Sequence, residues 1–204
     1  LIPIFAIFLT VVKSVPISAL MAVLMLLAGF IFSAVAAYMA GLVGSSNNPI
    51  SGVTIATILS SSLLLYLLKV YGGADVGPAA AIFIGAIVCC AAAIGGDNMQ
   101  DLKAGYILGA TPWKQQVMQA VGTLSAAMIM MPVLWLLHNK YGIGTDSHLT
   151  ESLRGHSLEA PQANLMANIA QGVFDQNLPW DLIFIGCLIA VVIIVLDKYL
   201  EAIK

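Results

Sequence analysis

Long apolar runs separated by short polar breaks set the pattern of this chain, and a helix needs roughly 20 apolar residues to cross the hydrocarbon core of a bilayer. The first run, Leu1 to Val12, is too short to cross alone and reads as the end of a helix begun upstream, closed by Lys13, Ser14 and Pro16. Complete spans are expected over about 18–42, 49–70, 78–94, 115–137 and 180–196. None shows the ten-residue alternation of barrel strands. The expected fold class is therefore all-α: a polytopic transmembrane helical bundle of about five complete spans, a leading partial span and a possible re-entrant half-helix.

Within the spans the small residues recur every fourth position. Gly29, Ser33, Ala37 and Gly41 form one stripe, and Gly77, Ala81, Gly85, Cys89 and Ala93 form another. Such stripes let helix backbones approach where lipid supplies no hydrophobic drive between them. The breaks carry more information. At Asn47-Asn48-Pro49 the chain offers Asn48 as a helix N-cap and Pro49 as the first helical residue, after which Thr54, Thr57 and Ser61 share one helix face. Those hydroxyls could line a polar path or bond back to carbonyls of their own helix.

The stretch Gly95 to Pro112 places Asp97, Gln100, Asp101 and Lys103 between two apolar spans. The Asp97–Gln100 spacing fits a capping box, which predicts a separate short helix from about Asn98 to Leu108, ended by Gly109, with Thr111-Pro112 starting the next. Asn139 to Pro161, with His148, Arg154 and His156, reads as a polar loop (139–161). The segment 162–174, interrupted by Gln162, Asn164, Asn168 and Gln171, is too short to cross and reads as interfacial or re-entrant.

Composition agrees with this pattern: 60% of the residues are hydrophobic and 9% charged, against about a quarter charged in soluble domains. The chain starts inside an apolar run without Met and stops just past a span, so residues 1–204 read as a single membrane domain, a C-terminal portion of something larger. A net charge of −2 and dispersed basic residues set nucleic acid aside as a partner. Basic residues divide evenly between the two sides of the bilayer, leaving orientation open. Cys89, Cys90 and Cys187 sit in apolar spans without metal-ligand spacing, and His138, His148 and His156 lie at loops or span ends; no metal or other cofactor is expected. Hydrolase, metalloprotease and nucleotide-binding signatures do not occur, so no enzymatic activity is expected.

Candidate chemistry thus rests on two places. The Asn48-Pro49 helix start, with its unpaired backbone donors, resembles the discontinuous helices of transporter binding sites if it lies at depth. The charged stretch is either a connector or a gate. These blocks, Asn47-Asn48-Pro49-Ile50-Ser51-Gly52, Gly96-Asp97-Asn98-Met99-Gln100-Asp101-Leu102-Lys103-Ala104-Gly105, Gly109-Ala110-Thr111-Pro112 and more loosely Ala160 to Met166, resemble the oligopeptide transporter family, bacterial-type members, which is related to the yellow stripe-like metal-chelate carriers. The resemblance implies a secondary transporter of the bacterial cytoplasmic membrane, driven by protons, that carries small peptides or, alternatively, metal chelates, with the rest of the transporter chain as a partner. A passive channel or a non-transporting scaffold is the reading from a different class. On the transporter reading, Asn47, Asn48, Pro49, Gly52, Thr54 and Thr57 are expected to bind substrate, and Asp97, Gln100, Asp101 and Lys103 to couple or gate.

Overall fold

The computed structural model describes residues 15–72, 77–144 and 157–203. The expectations for Leu1 to Ser14 and for His148, Arg154 and His156 lie outside the described residues. Among the described residues six α-helices follow one another: α1 (Val15–Val43), α2 (Ile50–Gly72), α3 (Pro78–Ile107), α4 (Pro112–Tyr141), α5 (Pro161–Phe174) and α6 (Trp180–Ile203), with a 3-10 turn at Ser45–Asn47. All but α5 are long and apolar enough to cross a membrane. α5, at 14 residues, reaches about 21 Å and falls short of the ~30 Å core. The polar loop is shorter than expected at its front, because α4 continues to Tyr141 before Gly142 ends it.

α3 is the central element, packed against α1, α2 and α5 along its length and against α4 near its end. Its buried row is Ala81, Gly85, Val88, Ala92 and Gly96, turned somewhat from the expected stripe: Cys89 is only half-buried. Small side chains here bring helices together. A Cβ at Gly85 would lie 2.9 Å from Ile58 Cδ1 of α2, and one at Gly96 would lie 3.4 Å from Ala40 Cβ of α1. Ser33 of α1 adds a cross-helix bond, its hydroxyl donating to the Ala91 carbonyl at 3.0 Å. On α1 the buried residues are Ser18, Met21, Ala22, Met25, Ala36 and Ala40, so the expected stripe is again offset, with open space around Gly29 and Gly41.

The expected short helix from Asn98 to Leu108 is not separate. α3 runs unbroken for 30 residues, about 45 Å, straight through Gly95-Gly96. The glycine pair serves close approach instead of a break: a Cβ at Gly95 would come within 3.2 Å of the Ser33 carbonyl oxygen, and one at Gly96 within 3.2 Å of Asn48 Cγ. Asp97 and Gln100 are therefore mid-helix, and no capping box forms.

The real end of α3 matches the sequence. Gly109 has φ +73°, its N–H donates to the Tyr106 carbonyl at 3.3 Å, and Ala110 N–H donates to the Gly105 carbonyl at 2.8 Å. That pair of bonds is a Schellman cap, which satisfies carbonyls the helix would otherwise leave open and calls for a glycine in the left-handed region. Thr111 then takes an extended conformation with Pro112 at the first turn of α4, as expected. α4 remains one helix through Pro132.

Candidate functional site

The Asn48 region differs from a simple capped helix start. Asn48 has extended backbone angles ahead of α2, but its side chain turns away from that helix and donates from Nδ2 to the Ala92 carbonyl of α3 at 3.3 Å. Its Oδ1 is buried with no hydrogen-bond partner. The N-cap expectation fails because a long-range acceptor competes successfully for the amide, and Gly96 leaves room for it. Asn48 thus joins the start of α2 to the middle of α3, and α2 begins without its side-chain cap. Asn47 is exposed and donates to the Val43 carbonyl at 3.1 Å, while Pro49 and Gly52 are exposed.

The hydroxyl face of α2 resolves toward the back-bonded alternative. Thr54 donates to the Ile50 carbonyl and Thr57 to the Val53 carbonyl, both at 2.8 Å, and Ser61 donates to the Ile58 carbonyl at 3.2 Å. Thr57 is 1% exposed and Thr54 7%. Each hydroxyl has its proton committed to its own helix, which is how such residues are accommodated inside an apolar bundle. One oxygen stays open: Ser62 Oγ, on the same helix, is fully buried and unpartnered.

The charged stretch is divided between two sides of α3. At about 100° per residue, Asp97, Asn98, Asp101 and Gly105 fall within one arc, and Lys103 lies about 200° from Asp101. Gln100 lies between, about 60° from Asp97 and from Lys103, where its amide nitrogen comes within 3.4 Å of the position a Gly44 Cβ would take, beside the turn into α2. The Lys103 ammonium lies 5.4 Å from the centre of the Tyr106 ring, a cation–π contact, away from the acids. What looked like one cluster is spread around α3: Asp101 meets α4, Lys103 lies on the opposite flank and Gln100 sits between.

Facing the acids is a row of side chains not anticipated from the sequence. On α4, Gln115, Gln116, Gln119 and Thr123 occupy an arc of about 100°. Gln119 Nε2 donates to Asp101 Oδ2 at 2.6 Å, a short charge-assisted bond, and Gln115 Nε2 donates to the Asp101 carbonyl at 3.2 Å. Gly105 is needed where Gln115 crosses, since any Cβ there would overlap the Gln115 amide. Beyond these bonds α3 and α4 diverge. A recess of about 450 Å³ opens between them, lined by Ile94, Asn98, Gln116, Gln119, Thr123 and Leu124. Asn98 Oδ1 and Gln115 Oε1 are buried and unpartnered. The signal was present as three amides and a hydroxyl at three- and four-residue spacing inside an apolar span.

Among the described residues, no group of three or more His, Cys, Asp or Glu is placed to hold a metal ion. Three features are the candidates for a site: the Asn48 bridge ahead of α2, the acidic face of α3 and the amide row of α4.

The whole chain, residues 1–204, matches the family described as OPT oligopeptide transporter protein. A protein of Haemophilus influenzae, strain Rd, provisionally named an oligopeptide transporter, is 38% identical over 183 residues, covering 86% of this chain. This chain spans 29% of that relative's length. No solved structure matches. Polytopic helices, the embedded polar faces and the match over the full length lead to one identification: the chain belongs to the OPT oligopeptide transporter family.

Proposed function

We propose that this chain is part of a proton-coupled symporter for small oligopeptides in the bacterial cytoplasmic membrane, a carrier that does no covalent chemistry. One observation carries the reading: a carboxylate and an amide meet between two membrane-length helices, Asp101 with Gln119, beside an open polar recess. Ionisable groups within membrane helices are costly and mark ion or substrate pathways.

Asp97 and Asp101 stand one turn apart on the same face of α3. Carboxyl groups on one face of a membrane-length helix are the candidates to carry the coupled proton. Gln100, beside the turn that leads into α2, and Lys103, on the flank of α3 opposite Asp101, act in gating. Asn47, Asn48, Pro49 and Gly52 form the mobile edge of that gate and contribute to substrate contact, with Asn48 Oδ1 as the available acceptor. Thr54 and Thr57 line the α2 side through atoms other than their committed protons.

The test uses the full-length transporter in proteoliposomes. An imposed inward proton gradient should drive accumulation of trialanine, and Asp97→Asn should reduce that accumulation at least tenfold. Gradient-independent accumulation in both proteins would remove the coupling role from this face.

A further inference from the structure

We propose that the recess between α3 and α4 receives the amino-terminal end of the peptide, with Asp101 accepting its ammonium and Asn98, Gln116 and Gln119 pairing with its first backbone amides; this rests on the peptide-transport reading above. The donor set points to that ligand. A carboxamide side chain carries an N–H and a C=O in one plane, the same pair that a peptide bond offers, so amide and backbone can bond reciprocally. The recess holds such side chains from both helices, with Asn98 Oδ1 buried and left without a partner, ready to accept a backbone N–H.

Charge fixes which end of the peptide enters. Gln119 lines both this recess and an adjoining one of about 420 Å³ that Asp101 lines, so Asp101 is reached past Gln119, and Asp97 lies one turn away on the same face of α3. The nearby lysines point elsewhere: Lys103 stacks on Tyr106, and the Lys114 ammonium lies 5.8 Å from the Trp113 ring centre. A site with acids and amides, and with both neighbouring ammonium groups turned outward, favours a cation over a carboxylate. Gln119 would release part of its hold on Asp101 when the ammonium arrives, exchanging one charge-assisted bond for another.

The amides need this role or an equivalent one. A side-chain amide left facing hydrocarbon unpaired costs roughly 2–7 kcal/mol, which favours a polar occupant for this face. The recess is then filled by water and substrate, or by a polar helix from the remainder of the protein.

Binding measured on the full-length transporter without any proton gradient separates these. Trialanine should bind the unaltered protein at least tenfold more tightly than N-acetyl-trialanine. Asp101→Asn should bring the two peptides within twofold, whereas Asp101→Glu should preserve the preference. Gln119→Leu, which leaves the charge in place, should weaken both peptides at least fivefold. If Asp101→Asn discriminates between the peptides as the unaltered protein does, or if Gln119→Leu binds both normally, the recess is a helix-packing seam and the inference is wrong. Failure of the unaltered protein to bind trialanine at all would overturn the peptide reading and this inference together. Normal binding with gradient-independent uptake would overturn only the coupling proposal.

Discussion

The two bare helices, α4 and α6, have no buried residue between them, yet their surfaces differ in kind. α6 presents Leu182, Ile185, Ile189, Val192 and Leu196, all exposed and all compatible with lipid. α4 presents similar bulk on much of its circumference but carries Gln115, Gln116, Gln119 and Thr123 on the arc facing α3. Thr123 bonds back to the Gln119 carbonyl at 2.8 Å and could sit in lipid without much penalty. Gln115 and Gln119 are held by Asp101, whereas the Gln116 amide, left unpaired in hydrocarbon, would cost roughly 2–7 kcal/mol, a sizeable share of the ~5–15 kcal/mol stability of a typical domain. The surface of α6 thus suits an apolar neighbour, and the α3-facing arc of α4 suits a polar one. A second contrast supports this. Where α3 meets α1 and α2 the contacts are Gly, Ala and Ser at close range, which is packing for its own sake, while the α3–α4 contacts are amide and carboxylate.

Ways to break that comparison differ in size. The largest effect should come from the packed seam: Gly85→Leu or Gly96→Leu would drive side chains into Ile58 or Asn48, and such overpacking costs about 1–3 kcal/mol or more. Thermal unfolding of the full-length protein in detergent should show the loss, and an unchanged transition would mean that α1, α2 and α3 do not meet as described. Next is Asn48→Leu, which removes the bond to the Ala92 carbonyl at a cost of about 0.5–1.5 kcal/mol, read by the same melt. Thr57→Val should change stability by less than about 1 kcal/mol, because the lost bond is only to its own helix; a large drop in peptide uptake with normal folding would show that its oxygen lines the path. The smallest effect belongs to α6. Ile189→Val, on the exposed face of α6, should leave melting and uptake within about 0.5 kcal/mol of the original, and a larger loss would place another part of the protein against that face.

Much of the fold was readable from hydropathy because each span is selected by one solvent, the bilayer, which acts on length and composition alone. The end of α3 was readable for a similar reason: Gly109 and Thr111-Pro112 act within a few residues of themselves. The failures share a cause. Gly95-Gly96 and the Asp97–Gln100 spacing are local signals for a helix boundary, but in this bundle the glycines answer to Ser33 and Asn48, which lie far away in sequence. Asn48 fits the composition of an N-cap, but its amide goes to a carbonyl 44 residues on. The split of Lys103 from Asp101 follows from α3 remaining helical, which the expected break had hidden. The glutamine row of α4 was visible as a pattern, and its meaning became clear only once Asp101 was found opposite Gln119.

Coupling of the acidic face of α3 to peptide movement is the central claim, and accumulation is its most direct measure. Full-length protein in proteoliposomes, given external trialanine and an inward proton gradient, should concentrate the peptide above its outside level, lose that concentration when a protonophore is added, and fail to build it in Asp97→Asn. Uptake that only equilibrates, with the same course in the presence of protonophore and in the variant, would contradict the account.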